Sequence, residues 1–308
     1  MRKLKIILYI LSILIYSNLS QANIEIKYKI GENIITNIDI LNEQNYLIFL
    51  RPGINKLSKK EIEKISENSL IREIIKREEL KKIYKDIEKI KLDKKLKKNL
   101  LNFKNVKNED ELRNLINKNN LKYSKIMEKM KYESLWNDFI FRKYNSMVRI
   151  DKDKLKKELK VKISNNKKYE YLLYEILFEV QNNEALTNKY KEILEYIDKN
   201  NFNDAAAKYS ISNSSIRGGE IGWVKETLLS KKLNNILKVK KKGEFTKPIK
   251  YPNGYLILKI NQKKEMKQIL SFDDELKELI NFERNKQLNQ FSLLFYKKIK
   301  QNTVINEY

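Results

Sequence analysis

Hydrophobic residues follow two different periods along the chain, and each period predicts a different secondary structure. In residues 24–40, "IEIKYKIGENIITNIDI", apolar and polar positions alternate on both sides of a Gly-Glu-Asn turn, which is typical of a β-hairpin. Thr36 or Asn37 then stands where a helix N-cap is expected. The segment therefore predicts two strands that lead into a helix.

The region from Ser58 to about Leu159 has the period of amphipathic helices. Ser58 precedes Glu61 by three positions, which is the spacing of a capping box. The clearest helix covers residues 124–148, and its apolar face carries Trp136, Phe139, Ile140, Tyr144 and Met147. Such a face usually packs in a core. The alternative is a groove for apolar segments of other chains, with Trp136, Phe139 and Tyr144 as candidate contacts.

Residues 169–263 change to the period of a strand. In "YEYLLYEILFEV", one apolar face and one mixed face alternate, and "NGYLILKI" predicts a turn that leads into a second strand. Helical patterns at 184–199 and 202–209 lie between them. This combination predicts a compact α+β domain with an antiparallel sheet. A long amphipathic helix is predicted over 272–300, and "TVINEY" is predicted as a closing strand.

The first 22 residues have the composition of a signal peptide. A basic head with Arg2, Lys3 and Lys5 precedes an apolar run, and Ser20-Gln21-Ala22 has the small-x-small pattern of a cleavage site after Ala22. An uncleaved membrane anchor is the alternative, but the apolar run is short for a span of about 20 residues. The pattern predicts export to the periplasm, with no transmembrane segment after cleavage.

Composition removes many kinds of chemistry. The chain has no His and no Cys, so it has no His-based nucleophile pair, no thiolate or imidazole metal site and no disulfide. No metal and no cofactor are predicted. The net charge is +25, but Lys is interleaved with Glu and Asp along the chain. A basic exported protein that binds anionic surfaces remains an alternative function.

Glycine is concentrated in one segment, "SSIRGGEIGWVKE". Gly218, Gly219 and Gly222 fall within five positions, in a chain with only seven glycines. The spacing of Gly219 and Gly222 also fits the Gly-x-x-Gly loop of a nucleic-acid-binding module. Glu220 inside that loop and the export signal argue against this alternative, so no nucleic-acid partner is predicted.

The order of motifs around these glycines resembles a parvulin-type (PpiC) peptidyl-prolyl isomerase domain. The matching pieces are "FNDAAAKYS", "SSIRGGEIGWVKETLLSKKLNNIL" and "KGEFTKPIKYPNGYLILKI". The flanking segments are similar to those of SurA-like periplasmic chaperones. The resemblance implies an α+β fold in which a helical chaperone module, residues 23–165, is completed by a C-terminal helix and strand, residues 265–308. The parvulin-like domain is expected at residues 166–264.

The resemblance also implies where the isomerase site should lie. The family's two histidines fall on Glu175 and Leu256, and its Cys or Asp falls on or near Ser212. The apolar proline pocket falls on Leu229 and Leu233, beside Trp223. In the glycine turn, Gly218 and Gly219 are expected to allow positive φ, and Gly222 to let the backbone approach the sheet under Trp223. Glu175 is expected either to face the pocket, where it needs hydrogen-bond donors, or to be solvated at an edge.

Three functions follow from these observations. The resemblance implies an ATP-independent chaperone for unfolded outer-membrane proteins, with the outer-membrane assembly machinery as a further partner, and a parvulin-like domain of weak or no activity. An active prolyl isomerase with a histidine-free site is the first alternative. The basic protein that binds anionic surfaces is the second.

Overall fold

The computed structural model describes residues 23–90, 94–163, 168–266 and 271–308. The predicted signal peptide, residues 1–22, lies outside the described residues. The described chain is an α+β structure with two antiparallel sheets, as the sequence predicts. The three-stranded sheet has the order β2-β1-β7 and the four-stranded sheet the order β4-β3-β6-β5. The strands are β1 (Ile26–Ile30), β2 (Asn33–Thr36), β3 (Tyr169–Phe178), β4 (Glu220–Lys225), β5 (Ile249–Tyr251), β6 (Gly254–Glu265) and β7 (Ile305–Glu307).

Three of the described helices are long, with 23, 22 and 30 residues, and the others are shorter. They are α1 (Asn37–Leu50), α2 (Lys59–Lys81), α3 (Lys94–Lys104), α4 (Glu109–Lys118), α5 (Tyr123–Tyr144), α6 (Lys152–Ile163), α7 (Asn183–Lys199), α8 (Phe202–Tyr209), α9 (Lys231–Lys238) and α10 (Phe272–Gln301).

Local hydrogen bonds explain where the first helices begin. Thr36 forms a capping box with Asp39 at the start of α1, and Ser58 forms one with Glu61 at the start of α2. Each box satisfies backbone N–H groups that have no partner inside the helix. The capping predictions at Thr36 and Ser58 are confirmed. The hairpin prediction is also confirmed, because β1 and β2 pair across a two-residue turn.

The helical part of the chain has an aromatic core, which we name the aromatic cluster. Trp136 is fully buried, and its indole N–H donates to Ser292 Oγ on α10 at 2.8 Å. Tyr144 stacks on Phe291 of α10 with ring centroids 5.0 Å apart. Met147 is 53% exposed because α5 ends at Tyr144, so the expectation that it lies on the buried face is wrong. Buried members of this cluster are Leu80, Ile87, Tyr132, Trp136, Phe139, Ile140 and Leu288.

Both faces of the four-stranded sheet pack against apolar clusters, including the face of β3 that the sequence predicts to be mixed. One face belongs to an apolar core that also contains Leu47, Ile54, Leu57 and Ile62 from α1, α2 and the turn between them. We name this core the shared cluster. Its other members include Ile176, Phe178 and Ile257 of the sheet and Phe202 of α8. The opposite face forms the leucine cluster of Tyr171, Leu173, Leu177, Val224, Leu229, Leu237, Leu256, Leu258 and Ile260.

The two ends of the described chain meet in the three-stranded sheet. Ile305 in β7 pairs with Ile30 in β1, and the Tyr308 N–H donates to the Lys27 carbonyl oxygen at 3.0 Å. The strand predicted at "TVINEY" is therefore present, and it pairs with the first strand of the chain.

Candidate functional site

Glu175 lies on β3 and accepts two hydrogen bonds from the serine loop that follows α8. Ser212 Oγ donates to Glu175 Oε1 at 2.6 Å, and Ser214 Oγ donates to the same oxygen at 2.8 Å. The two hydroxyl oxygens are 3.2 Å apart. By the alternation of β3, Glu175 shares its face of the sheet with Leu173 and Leu177. The structure thus supplies the donors that an inward-facing Glu175 requires, and brings it together with Ser212.

The serine loop is tied to the neighbouring strand by its own backbone and side chains. Ser210 Oγ accepts from the Leu177 N–H at 3.1 Å, and the Ile211 N–H donates to the Leu177 carbonyl oxygen at 2.8 Å. Ser212 then caps a short 3-10 turn over Asn213–Arg217. These contacts fix Ser212 and Ser214 beside Glu175. Ser214, which sequence reasoning missed, is 8% exposed.

The glycine turn is explained by positive φ and by one close approach. Gly218, Gly219 and Gly222 all have positive φ, a region that glycine enters without steric cost. A Cβ on Gly219 would lie 2.3 Å from the Glu175 carbonyl oxygen, whereas a Cβ on Gly222 would meet nothing within 4 Å. The expectation for Gly222 is therefore wrong in part: the close approach to the sheet occurs at Gly219. Gly222 is needed for its φ of +99°, beside a shift in the β3–β4 register.

Leu256 lies on β6 opposite Leu177 and is 4% exposed. Leu229, from the expected proline pocket, is 2% exposed, and both side chains belong to the leucine cluster. Leu233 packs against the same cluster and is partly buried. The apolar character expected for this face is therefore present, but the side chains fill it themselves.

Trp223 does not lie with these residues. It pairs with Leu172, whereas its neighbour Val224 pairs with Tyr171 and joins the leucine cluster. Because side chains alternate along a strand, Trp223 points to the opposite side of the sheet. It is 43% exposed, and Lys264 Nζ lies 4.1 Å from its ring centroid. The expectation that Trp223 helps to line the proline pocket is therefore wrong.

Helix α10 covers the leucine cluster, which sequence reasoning did not predict. Phe282 and Leu293 of α10 pack against it, as does Tyr251 of β5. Burial raises the pKa of Tyr251, a hydrogen bond with Gln290 of α10 opposes this shift, and the charge of Glu175 raises the pKa further. Tyr251 and α10 thus pack against the same cluster.

Polar contacts fasten the beginning of α10 to the end of β4. Lys225 Nζ pairs with Glu275 at 3.0 Å and with Glu278 at 2.6 Å. The Glu275 side chain has no exposed surface, and its second oxygen accepts from Thr227 Oγ1 at 2.8 Å. Further along the helix, the Asn253 amide donates to the Gln290 carbonyl oxygen at 3.4 Å.

Two more ion pairs join the helical part of the chain to the parvulin-like region. Arg51 donates to Asp204 Oδ1 at 2.8 Å, with side chains only 12% and 3% exposed. Lys208 of α8 pairs with Glu61 of α2 at 3.1 Å. Arg51 also explains Gly218, since a Cβ there would lie 2.9 Å from Arg51 Cδ.

The three candidate client contacts lie in the aromatic cluster. Trp136 has no exposed surface, Phe139 is 8% exposed, and Tyr144 is partly buried against Phe291. In this structure these side chains pack in the core, which is the usual arrangement of such a face and not the groove of the alternative interpretation.

Within the described ranges, no group of three or more Asp or Glu side chains is placed to hold a metal ion. None of the helices that the structure describes is both long enough and apolar enough to cross a membrane.

Comparison with known proteins identifies the class of domain. Residues 175–262 match the family model described as "Rotamase: PPIC-type PPIASE domain". The chain thus carries a PpiC-type parvulin domain. That segment begins at Glu175 and includes Ser212, Leu229, Leu233 and Leu256.

Two curated relatives have the name "Chaperone SurA". The protein from Pseudomonas putida is 38% identical over 63 residues, and that from Pseudomonas aeruginosa is 32% identical over 63 residues. Each alignment covers 20% of this chain and 15% of the relative's length. The chain is therefore similar to SurA chaperones over a short segment of those proteins.

Solved structures with similar chains include two bacterial proteins. One SurA-like chaperone of Campylobacter jejuni, from a pair that comprises PEB4 and the periplasmic protein Cj1289, is 15% identical; the match covers 92% of this chain and 98% of that chain, with a TM-score of 0.37. The peptidylprolyl isomerase PrsA of Bacillus anthracis is 22% identical; the match covers 77% of this chain and 100% of that chain, with a TM-score of 0.30.

Proposed function

We propose that the protein is a periplasmic, ATP-independent chaperone that holds unfolded outer-membrane proteins, and that its parvulin domain has weak or no isomerase activity. The PpiC-type domain and the similarity to SurA chaperones support the chaperone part of this proposal. The pattern of residues 1–22 supports export.

The burial of the leucine cluster is the main observation that supports weak or no isomerase activity. Leu229 and Leu256 are 2% and 4% exposed, and α10 packs over the cluster through Phe282 and Leu293. A substrate proline that entered this face would have to displace α10 and its contacts. This cover supports weak or no isomerase activity.

The polar groups at the site are poorly suited to the chemistry. Prolyl isomerisation twists an amide across a barrier of about 18–20 kcal/mol, and a catalyst lowers it by stabilising the twisted amide. Leu256 has no hydrogen-bonding group, and an ionised Glu175 can only accept. Ser212 and Ser214 both direct their hydroxyls at Glu175. The hydroxyl donors of this cluster are therefore already engaged.

The three-stranded sheet of this chain offers clients a more accessible surface than the leucine cluster. Its outer strands are β2 and β7, so each has an edge without a neighbouring strand in the sheet. Ile34 on β2 is 49% exposed, Ile26 on β1 is 47% exposed, and Val304 beside β7 is 72% exposed. An extended client segment can pair with such an edge through its backbone and place alternate apolar side chains on these residues.

The test combines two assays on the mature chain. We expect isomerisation of proline tetrapeptides in a protease-coupled assay to stay at the uncatalysed rate, while aggregation of an unfolded outer-membrane protein is suppressed. Ile34→Lys should weaken this suppression by placing a charge at the β2 edge. Val239→Lys is the matched control, because Val239 is 78% exposed and lies after α9 of the parvulin domain.

Three results would contradict the proposal. Catalysis that Glu175→Ala removes would make the protein an isomerase with a histidine-free site. Failure to suppress aggregation would remove the chaperone function. Client binding that falls steeply with salt and is indifferent to Ile34→Lys would favour binding to anionic surfaces.

A further inference from the structure

An open cavity of about 280 Å³ lies where three parts of the chain meet. Its walls come from α1 and α2, from the loop that follows α8, and from the last turns of α10. The loop contributes Ser210 and Ile211, which directly precede the Ser212 that binds Glu175. An occupant of this cavity would therefore contact the helical module and the serine loop together.

Two cations of the lining, Arg72 and Lys300, are not in contact with a carboxylate among the described residues; Arg72 donates instead to the Ser212 carbonyl oxygen at 3.5 Å and lies over the Tyr296 ring. Two other lysines of the lining are paired, Lys297 with Glu179 at 2.9 Å and Lys208 with Glu61 at 3.1 Å. Arg72 and Lys300 form no ion pair with any carboxylate in the part of the chain that the structure describes. Burial and the positive charge of Arg72 together lower the pKa of Lys300. Two like charges held near each other favour an anion between them.

The remaining lining contains both apolar and polar side chains. Leu47 is fully buried, and Leu294 on α10 is 52% exposed. Ile211 and Leu293 are further apolar members, and Ser215 is one of the polar ones. The volume is close to the lower end of the range for small-ligand sites, about 300–1,000 Å³.

We propose that this junction cavity binds the C-terminal end of a polypeptide, with the terminal carboxylate between Arg72 and Lys300 and an apolar last side chain against Leu47 and Leu293. The inference rests on the proposed function, because it assigns one subsite for an unfolded client. A carboxylate paired with an arginine forms charge-assisted hydrogen bonds, which are stronger than neutral ones.

A fatty acid would offer the same carboxylate and an apolar chain, but the lining favours a peptide. Ser215, which is 6% exposed, places its hydroxyl in the walls, and Asn68 places its amide there. A peptide backbone can pair with these groups, whereas an acyl chain cannot, which costs free energy where such a group is buried.

Binding of a labelled hexapeptide tests the proposal. The peptide consists of serine and glycine, ends in leucine, and has a fluorophore at its amino end; one form has a free carboxylate and the other is C-terminally amidated. The mature chain should bind the free acid about tenfold more tightly than the amide, which corresponds to the loss of one hydrogen bond to a charged group.

Substitutions in the cavity lining test whether the preference for the free acid comes from the cavity. Lys300→Gln on α10 should reduce the preference to less than about twofold, and Arg72→Gln should do the same. Lys298→Gln is the matched control, because Lys298 is an exposed lysine on the same helix and does not line the cavity. Far-UV circular dichroism checks that each variant is folded.

Equal affinity for acid and amide would overturn the inference, and so would a preference that survives both cavity variants. Decanoate that binds the cavity while the peptide shows no preference for the acid would also overturn it, in favour of a lipid ligand. The aggregation assay separates the two proposals: if suppression of aggregation is retained without any preference for the acid, the carboxylate site fails while the chaperone function stands.

Discussion

The two faces of the four-stranded sheet are buried in different ways. On one face, Phe178 and Phe202 join the shared cluster with residues of α1 and α2, so a single apolar core crosses from the helical part into the parvulin domain. On the other face, the leucine cluster is closed by α10, whose first turns are fastened through Lys225, Glu275 and Thr227.

The face with the shared cluster joins the two parts of the molecule, whereas the face with the leucine cluster is covered by a helix. Apolar burial is non-directional and is lost only when the elements separate. A helix start that is held by a few directional polar contacts can loosen when those contacts are broken. Phe282 and Leu293 still pack on the isomerase-like face, so we expect only the first turns of α10 to loosen there.

The largest expected effect comes from breaking the shared cluster. Phe178 is 1% exposed, so Phe178→Ala should lower the free energy of unfolding by about 3–5 kcal/mol, through lost burial and the cavity that remains. Urea unfolding of single-tryptophan forms, with either Trp136 or Trp223 retained, should show the same shift at both reporters. A shift at Trp223 alone would show that the core does not join the two parts. Phe141→Ala, at a position 45% exposed, is the control.

A smaller effect is expected from Arg51→Ala on the same face. The substitution leaves the Asp204 carboxylate, whose side chain is 3% exposed, without its cation. The loss should be about 3 kcal/mol, at the lower end for a broken buried pair, because Asn201 still donates to Asp204. The double variant Arg51→Ala with Asp204→Asn should recover part of that loss in urea unfolding. No recovery would mean that Arg51 acts through packing against Gly218 and not through its charge.

On the opposite face, loss of one polar contact should loosen the structure only near the start of α10. Glu275→Ala removes a buried acceptor of Lys225 and Thr227, with an expected cost of about 1–3 kcal/mol. The start of α10 should then become sensitive to limited proteolysis, and a hydrophobic dye should bind the uncovered leucine cluster. Glu278→Ala, at a side chain 42% exposed, should do less. If both variants resist protease like the parent, the cover depends on Phe282 and Leu293 instead.

The smallest effect is a dependence on pH. Burial alone would raise the pKa of Glu61, but hydrogen bonds from Ser58 and Lys208, together with the nearby Tyr196 hydroxyl, lower it to about 2 from an ordinary value of 4.5. A carboxyl with a lowered folded-state pKa stabilises the fold above its unfolded pKa, and this contribution is lost as the pH falls from 4.5 toward 2. The stability difference between the parent and Glu61→Gln should therefore shrink over that interval in urea unfolding. Glu195→Gln, at a side chain 58% exposed, should show no such trend.

Features that depend on near neighbours could be predicted from the sequence. The capping boxes at Thr36 and Ser58 and the alternation in β3 involve residues a few positions apart, so their pattern is visible in the chain. The contact between Glu175 and Ser212 could be predicted only in general terms, because an inward-facing Glu175 needs hydrogen-bond donors. The resemblance placed Ser212 in the right loop.

The rest depends on contacts between distant residues. Phe282 and Leu293 cover a cluster formed mostly by residues 171–260, and no local pattern shows which face a later helix will contact. The positions of Trp223 and Gly222 depend on the β3–β4 register, which shifts between Leu173 and Tyr174. A shift of one residue moves a side chain to the other face of the sheet.

The pairing of β1 with β7 ties folding to the order of synthesis. Ile30 is made early and Ile305 late, so the three-stranded sheet cannot be completed until the end of the described chain is available. Contacts between residues so far apart along the chain are slow to form, because a long loop must close first. A chain that lacks β7 would expose the edge of β1 that β7 covers. This edge therefore stays unpaired until β7 has been synthesised.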